Sequence, residues 1–241
     1  MRYNKFDQPI GKEIDGYTVG SLPEQDRFDG KLCVLERLDY DKHHERIYDC
    51  YLNHMTVQDW TYLPNQPLTE KQQVRTIIRQ FIDADDLYCF TIIDKSNQRV
   101  LGTFCLMRAD PLNRSIEIGW VIYSNLLKRS KIATEAQFLM MRYVFETLQY
   151  RRYEWKCDAL NTPSYKAAER LGFTYEGTFR NAVVYKNRNR DTAWFSIISE
   201  EWPLIKSGFE HYLSESNFDM QGNQLKPLRF FSTKNRSAIN R

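Results

Sequence analysis

Two stretches in the middle of the chain carry residue types that could do chemistry. Asn125–Ala136 reads NLLKRSKIATEA, with Lys128, Arg129 and Lys131 set where a helical pattern begins. A helix N-terminus already carries partial positive charge from its unpaired N–H groups and its macrodipole. Cations there are mildly unfavourable unless an anion joins them, so the spacing predicts a site for a phosphate-bearing ligand. The N–H groups of about Arg129 to Thr134 would point at a pyrophosphate. A solvated basic loop is the competing reading. The second stretch is SIEIGWVIY, where Glu117 sits on a strand between apolar neighbours. A charged carboxylate on a central strand is costly unless it faces a wet cleft. The plain alternative is an outward-facing residue of an alternating strand.

The elements around these stretches must hold them in place. The strand Ser115–Tyr123 feeds directly into the basic turn. Its Ile116, Ile118, Trp120 and Ile122 are expected to share one face, with Glu117, Gly119, Val121 and Tyr123 on the other. After the turn, Ala133, Ala136, Leu139, Met140, Tyr143, Val144, Thr147 and Leu148 recur at helical spacing and predict a long helix. Upstream, a strand is expected at Lys31–Leu38 and a helix near Asp41–Asn53. Thr69 and Gln72 have capping-box spacing before the apolar face Val74, Ile77, Ile78, Phe81 and Ile82. LYCFTIID, KSNQ and RVLGTFCLMR read as a hairpin. Downstream come the strand YEWKCDAL, a short helix opened by Pro163 and stopped by Gly172, and strands near Asn181–Lys186 and Thr192–Ser199. Residues 1–30 lack periodicity and read as an extended arm. A helix over Trp202–Tyr212 leads into a polar tail. The order predicts a mixed α/β domain on one central sheet.

Composition bounds the function. The 241 residues are 42% hydrophobic and 14% aromatic, enough for a packed core. A net charge of +3 argues against nucleic-acid binding unless local clusters supply it. No apolar run approaches a membrane span, no secretory signal opens the chain, and a cytoplasmic protein is expected. Cys33, Cys50, Cys89, Cys105 and Cys157 are scattered and are expected to be reduced core residues. The histidines have no metal-ligand spacing, so no metal is expected, and His43 and His44 read as a solvated helix surface.

From Leu101 onward, the runs GTF, IEIGWVIY, KRSKIATEA, YEWKCDALNTPSYKAAERLGF and EGTFR resemble the GNAT superfamily of acetyl-CoA-dependent N-acetyltransferases. They are most similar to the branch of the ribosomal-protein N-terminal acetyltransferases. WTYLP, KNRNRDTAWFSI and the arm QPIGKEIDG resemble a less characterised subgroup of that branch. The resemblance implies a mostly antiparallel central sheet flanked by helices. It implies an arm at 1–30, an acyl-CoA N-acyltransferase domain at 31–205, and a C-terminal helix and tail at 206–241. Lys128, Arg129, Ser130, Lys131, Ile132 and Ala133 become the phosphate loop, continued by Thr134. Two positions depart from the family pattern: Lys128 stands where Gln or Arg is usual, and Lys131 where Gly is usual. Backbone groups of Trp120, Val121 and Ile122 would pair with the pantetheine arm, and one N–H could stabilise the thioester oxyanion. Asn161 matches a cofactor-contacting Asn; a turn Asn is the alternative.

The implied reaction needs a base, because an alkylamine is mostly protonated at neutral pH. Glu117 matches the family's general base. Ala168 stands where many relatives carry an acid Tyr, and Ser164 matches a Ser of the ribosomal branch; a helix-start hydroxyl is its alternative. Trp60, Tyr62 and Arg114 are expected to contact the acceptor amine, although loop aromatics also commonly plug a core. Cys157 has no His beside it, which favours direct transfer over an acyl-enzyme. Two other readings stay open: a non-catalytic CoA-binding module, and RNA or ribosome association through Arg142, Arg151, Arg152, Arg188 and Arg190. The hairpin at Lys186–Asp191 and the strand TAWFSI could pair with a second copy.

Overall fold

The structure is a computed structural model that describes residues 2–229 and 231. In chain order the strands and helices are β1 (Arg2–Tyr3), β2 (Pro9–Ile10), β3 (Arg27–Asp29), β4 (Cys33–Arg37), α1 (Tyr40–Tyr48), α2 (Lys71–Asp83), β5 (Leu87–Asp94), β6 (Val100–Asp110), β7 (Ser115–Tyr123), α3 (Lys131–Arg142), β8 (Arg152–Asp158), α4 (Thr162–Leu171), β9 (Thr174–Tyr185), β10 (Arg188–Ile198) and α5 (Trp202–Leu213). β3 to β10 form one eight-stranded sheet in the order β3-β4-β5-β6-β7-β8-β10-β9. Every neighbouring pair is antiparallel except β7 with β8. The mixed, mostly antiparallel sheet matches the fold expected.

Helices cover both faces. Ile47 of α1 and Val74, Ile77, Ile78 and Phe81 of α2 pack with Val34, Cys89 and Cys105 on one face. α3, α4 and α5 pack on the other with Ile116, Ile118, Tyr153 and Trp155. Burial of these stripes stabilises by roughly 25 cal/mol per Å² of apolar surface.

The alternation expected along β7 is broken. Ile116 and Ile118 join the α3–α5 face, whereas Trp120 and Ile122 pack on the α1–α2 face. The register against β6 slips between Thr103 and Cys105, and Trp120 has φ 48. A bulge inserts one residue and moves every later side chain to the other face.

Four further expectations change. The region 1–30 is not all arm: β1 and β2 pair as a small sheet, and β3 already belongs to the main sheet. α2 is capped one residue later than expected, by Glu70 with Gln73. The long helix after the basic turn ends at Arg142 and continues as a π-helical turn, Tyr143–Thr147. His43 is fully buried, with Nε2 3.0 Å from Glu36 Oε2.

The cysteines are not all reduced. Cys89 and Cys105 oppose each other across β5 and β6 and form a disulfide, leaving Cys33, Cys50 and Cys157 free. Thiol titration of the denatured, unreduced protein is therefore expected to count three thiols, against five after reduction. The bridge closes a separation of 16 residues. Its reduction is expected to cost about 3 kcal/mol in the chain-entropy picture. Five thiols before reduction would refute the bridge.

Candidate active site

The site begins where β7 and β8 part. Their parallel pairing runs from Ser115↔Arg152 to Ile118↔Trp155 and stops there, although β7 continues to Tyr123 and β8 to Asp158. Past that point the facing backbone edges are unpaired with each other, as an extended ligand inserted like a strand requires. Trp120, Val121 and Ile122 lie on this edge. Gly102 of β6 keeps the strands close: a Cβ there would lie 2.5 Å from the Ile122 carbonyl oxygen.

The basic turn follows the open edge. Ser130 caps α3 by accepting from the Ala133 N–H at 3.0 Å. The N–H groups of Lys131 and Ile132, first in the helix, stay outside the intrahelical ladder. Thr134 Oγ1 sits 3.4 Å from the Ser130 carbonyl oxygen and accepts from Arg170 at 3.1 Å. Arg129 is exposed, with φ 60. Lys128 pairs with Asp59 and donates to Asn125 Oδ1 at 2.9 Å. Burial pushes the Asp59 carboxyl up, but hydrogen bonds from Lys128 and Thr56 outweigh it and hold it below its ordinary range. Lys131 points elsewhere: its ammonium lies 3.1 Å from the centroid of the Phe218 ring, at a cavity shared with Lys31 and Asp219. Its side chain meets the C-terminal segment, and only its backbone faces the turn.

Glu117 and Ser164 stand on opposite faces of the sheet beside the opening. Alternation from Ile116 and Ile118 puts Glu117 on the α1–α2 face. Its Oε2 meets Lys156 at 2.8 Å and Arg108 at 2.7 Å. Ser164, in the first turn of α4, accepts from Trp155 Nε1 at 3.0 Å on the α3–α5 face, and its O–H faces the Cys157 sulfur. Asn161 caps α4, accepting from the Ser164 N–H at 3.2 Å. That is the turn role weighed as its alternative, and it leaves the Asn161 amide N–H₂ group to spare. Burial pushes the Cys157 thiol up, against a smaller opposing pull from Ser164, which makes it a poor nucleophile.

The acceptor residues separate. Trp60 is 2% exposed and packs on Tyr51, so it plugs the core rather than lining an open cleft. Tyr62 stays near the opening, donating to the Leu160 carbonyl at 3.0 Å. Arg114 precedes β7 and so lies at the far end from the opening. It donates to Thr18 Oγ1 at 2.6 Å and anchors the arm instead of a substrate. Three of the five arginines considered for RNA pair with carboxylates or a carbonyl within the chain. Arg152 pairs with Glu154 and Glu176, Arg142 with Glu146, and Arg188 donates to the Thr61 carbonyl.

Sequence reasoning missed Lys156 and Arg108. A signal existed for Lys156: Glu154, Lys156 and Asp158 alternate with Tyr153, Trp155 and Cys157, which sets a charged row on a strand flanking Glu117.

Residues 34–174 match the family described as Acetyltransferase (GNAT) domain. The chain belongs to the GNAT family. A solved GCN5-related N-acetyltransferase from Brucella melitensis is 41% identical, covers 91% of this chain and 100% of its own, and superposes with a TM-score of 0.89. The uncharacterised N-acetyltransferase p20 of Bacillus licheniformis is 31% identical over 58% of this chain and 80% of its own. A Bacillus subtilis protein carried provisionally under the name ribosomal N-acetyltransferase YdaF is 27% identical over 70% of this chain and 93% of its own. This GNAT chain is accordingly an N-acetyltransferase. GNAT acetyltransferases use acetyl-CoA as co-substrate. Among the described residues, no helix is long and apolar enough to cross a membrane.

Proposed function

We propose that this GNAT protein moves the acetyl group of acetyl-CoA directly to a primary amine, with Glu117 as general base and Ser164 as general acid. The observation that carries this reading is the opening between β7 and β8, flanked by a carboxylate on one face and a hydroxyl on the other. The residues present suit the co-substrate: an unpaired strand edge for pantetheine, and free helix N–H groups with Lys128 and Arg129 for phosphate.

Acetyl-CoA supplies an activated thioester. Glu117 takes the proton from the acceptor nitrogen, directly or through water, so that its lone pair can form the new C–N bond. The β7 N–H groups past Ile118 stabilise the developing oxyanion. As the C–S bond breaks, Ser164 hydrogen-bonds the leaving sulfur and relays a proton to it, regaining one from water. The acceptor approaches from the face of α1, α2 and Tyr62. The name of the Bacillus subtilis relative favours a protein N-terminus over a small molecule.

The test combines calorimetry with acetyl-CoA and assay of thiol release against a panel of peptide N-termini and small amines. Acetyl-CoA binding with acceptor-dependent release is expected. Binding without release from any acceptor favours the non-catalytic module. Lys128→Glu is expected to weaken binding about 10- to 100-fold, the worth of one charge-assisted hydrogen bond. The wild-type affinity should fall as salt rises. A Kd unchanged by the charge reversal would remove Lys128 from the phosphate site.

A further inference from the structure

Three carboxylates, on β7, β8 and β9, lie in a row that crosses β10 at Ser196. Glu154 opposes Glu117 in the parallel register. Glu154 gives Oε1 to Arg152 at 2.6 Å and Oε2 to Lys156 at 2.9 Å. Glu176 gives Oε1 to Arg152 and to Ser196, at 2.8 and 2.7 Å, and Oε2 to Arg152. Glu117 gives Oε2 to both Lys156 and Arg108. Glu117 Oε1 is the one carboxylate oxygen of the row without a partner among the described residues. It lies 3.6 Å from where a Cβ on Gly119 would sit, beside the first residue of the open edge.

We infer that Lys156 is a positioning residue for Glu117: it fixes Oε2 so that Oε1 is the oxygen presented to the acceptor amine. The inference rests on Glu117 being the base. Lys156 is suited to the task by burial. Its side chain is 9% exposed, against 57% for Arg108, so solvent screens it far less. An ammonium has three N–H donors. The Lys156 ammonium lies 2.8 Å from Glu117 Oε2 and 2.9 Å from Glu154 Oε2, and 3.7 Å from the Trp194 ring centroid. Burial pushes the Glu154 carboxyl up, yet hydrogen bonds from Arg152 and Lys156 outweigh it and hold it below its ordinary range. Lys156 thus sets a cation between two register-paired carboxylates, where like charges would otherwise repel.

The charged groups facing Glu117 are Arg108 from β6 and Lys156 with Glu154 from β8. Lys156→Met keeps the length of the side chain and its contact with Trp194 but removes the cation. It is expected to lower kcat about 10²-fold at neutral pH, the cost of misplacing a reacting group by about 1 Å. KM for acetyl-CoA should stay within about twofold, because uniform binding is untouched. The acid-side fall of the pH–kcat profile should move to higher pH, since Glu154, beside Glu117 in register, loses the Lys156 contact that helps hold its carboxyl below its ordinary range. The double variant Lys156→Met with Glu154→Gln removes the uncompensated pair. It guards against a folding defect and should return the profile toward wild type. A Lys156→Met enzyme with wild-type kcat and profile, beside an inactive Glu117→Gln enzyme, would overturn the positioning role while leaving the base in place. An active Glu117→Gln enzyme would overturn both.

Discussion

Glu117→Gln is expected to lower kcat/KM for amine acetylation by about 10²- to 10⁴-fold, the usual worth of a positioned general base. Acetyl-CoA affinity should be unchanged, because the basic turn and the open strand edge do not involve this carboxyl. Glutamine fills the same volume, and Lys156 keeps its bond to Glu154 Oε2. The variant should therefore fold and bind acetyl-CoA yet fail to deprotonate the acceptor. The measurement pairs steady-state rates, using the acceptor identified by the thiol-release panel, with calorimetry on the same preparation. A kcat/KM within about threefold of wild type would reject Glu117 as the base. It would direct attention to Asp158, which is buried and accepts from Tyr185 at 2.7 Å near the end of β8. Burial, then the contact with Asp158, pushes the Tyr185 hydroxyl up to about 12, so Tyr185 serves as a donor and not as a base.

The parts of this molecule that were legible in the sequence are those set by local rules. The basic turn at a helix start, the hairpin at KSNQ, the Pro163 opening and the Gly172 stop of α4 all follow from capping and turn chemistry. The order of strands and helices, with the family resemblance, carried the sheet as well. The rest depended on contacts between distant segments. Period-2 alternation in SIEIGWVIY gives no warning of the bulge at Trp120, because the bulge depends on register against β6. Trp60 looked available because it lies in a loop, yet tertiary packing buries it under Tyr51. Arg114 lies close to Glu117 in sequence but precedes β7, away from the opening past Ile118, and its side chain meets Thr18. His43 reads as surface from its polar neighbours, and only the buried Glu36 explains why it is inside. Lys131 stands in the phosphate loop by position, but its side chain finds Phe218, far along the chain.

Glu135 is the strongest case of such a distant contact, and Glu135→Ala is expected to cause a large loss of stability. It sits in the run ATEA, where a helical Glu would normally face water. Here it is 5% exposed. Its carboxylate accepts the backbone N–H groups of Lys31, Leu32 and Cys33, each at 2.8 Å. Gly30 makes room for it, because a Cβ there would lie 2.5 Å from Glu135 Oε2. One side chain on α3 therefore holds the turn that starts β4, and with it the geometry of the helix that begins at the basic turn. Alanine would strand the donors. Those of Lys31 and Leu32 can turn to water, but that of Cys33 is buried, and an unsatisfied buried donor costs about 1–3 kcal/mol. Adding the lost charge-assisted bonds, the expected destabilisation is about 3 kcal/mol. At about 2–4 °C per kcal/mol for a chain of this size, Tm should fall by about 6–12 °C. Glutamine keeps one acceptor oxygen and should fall between alanine and wild type. A melting curve for each variant checks the ranking, and a Tm shift below about 2 °C for Glu135→Ala would mean that the β4 turn is held by its own backbone. If the ranking holds, acetyl-CoA affinity should weaken in the same order, since the helix N-terminus proposed to meet the phosphates is oriented through this carboxylate.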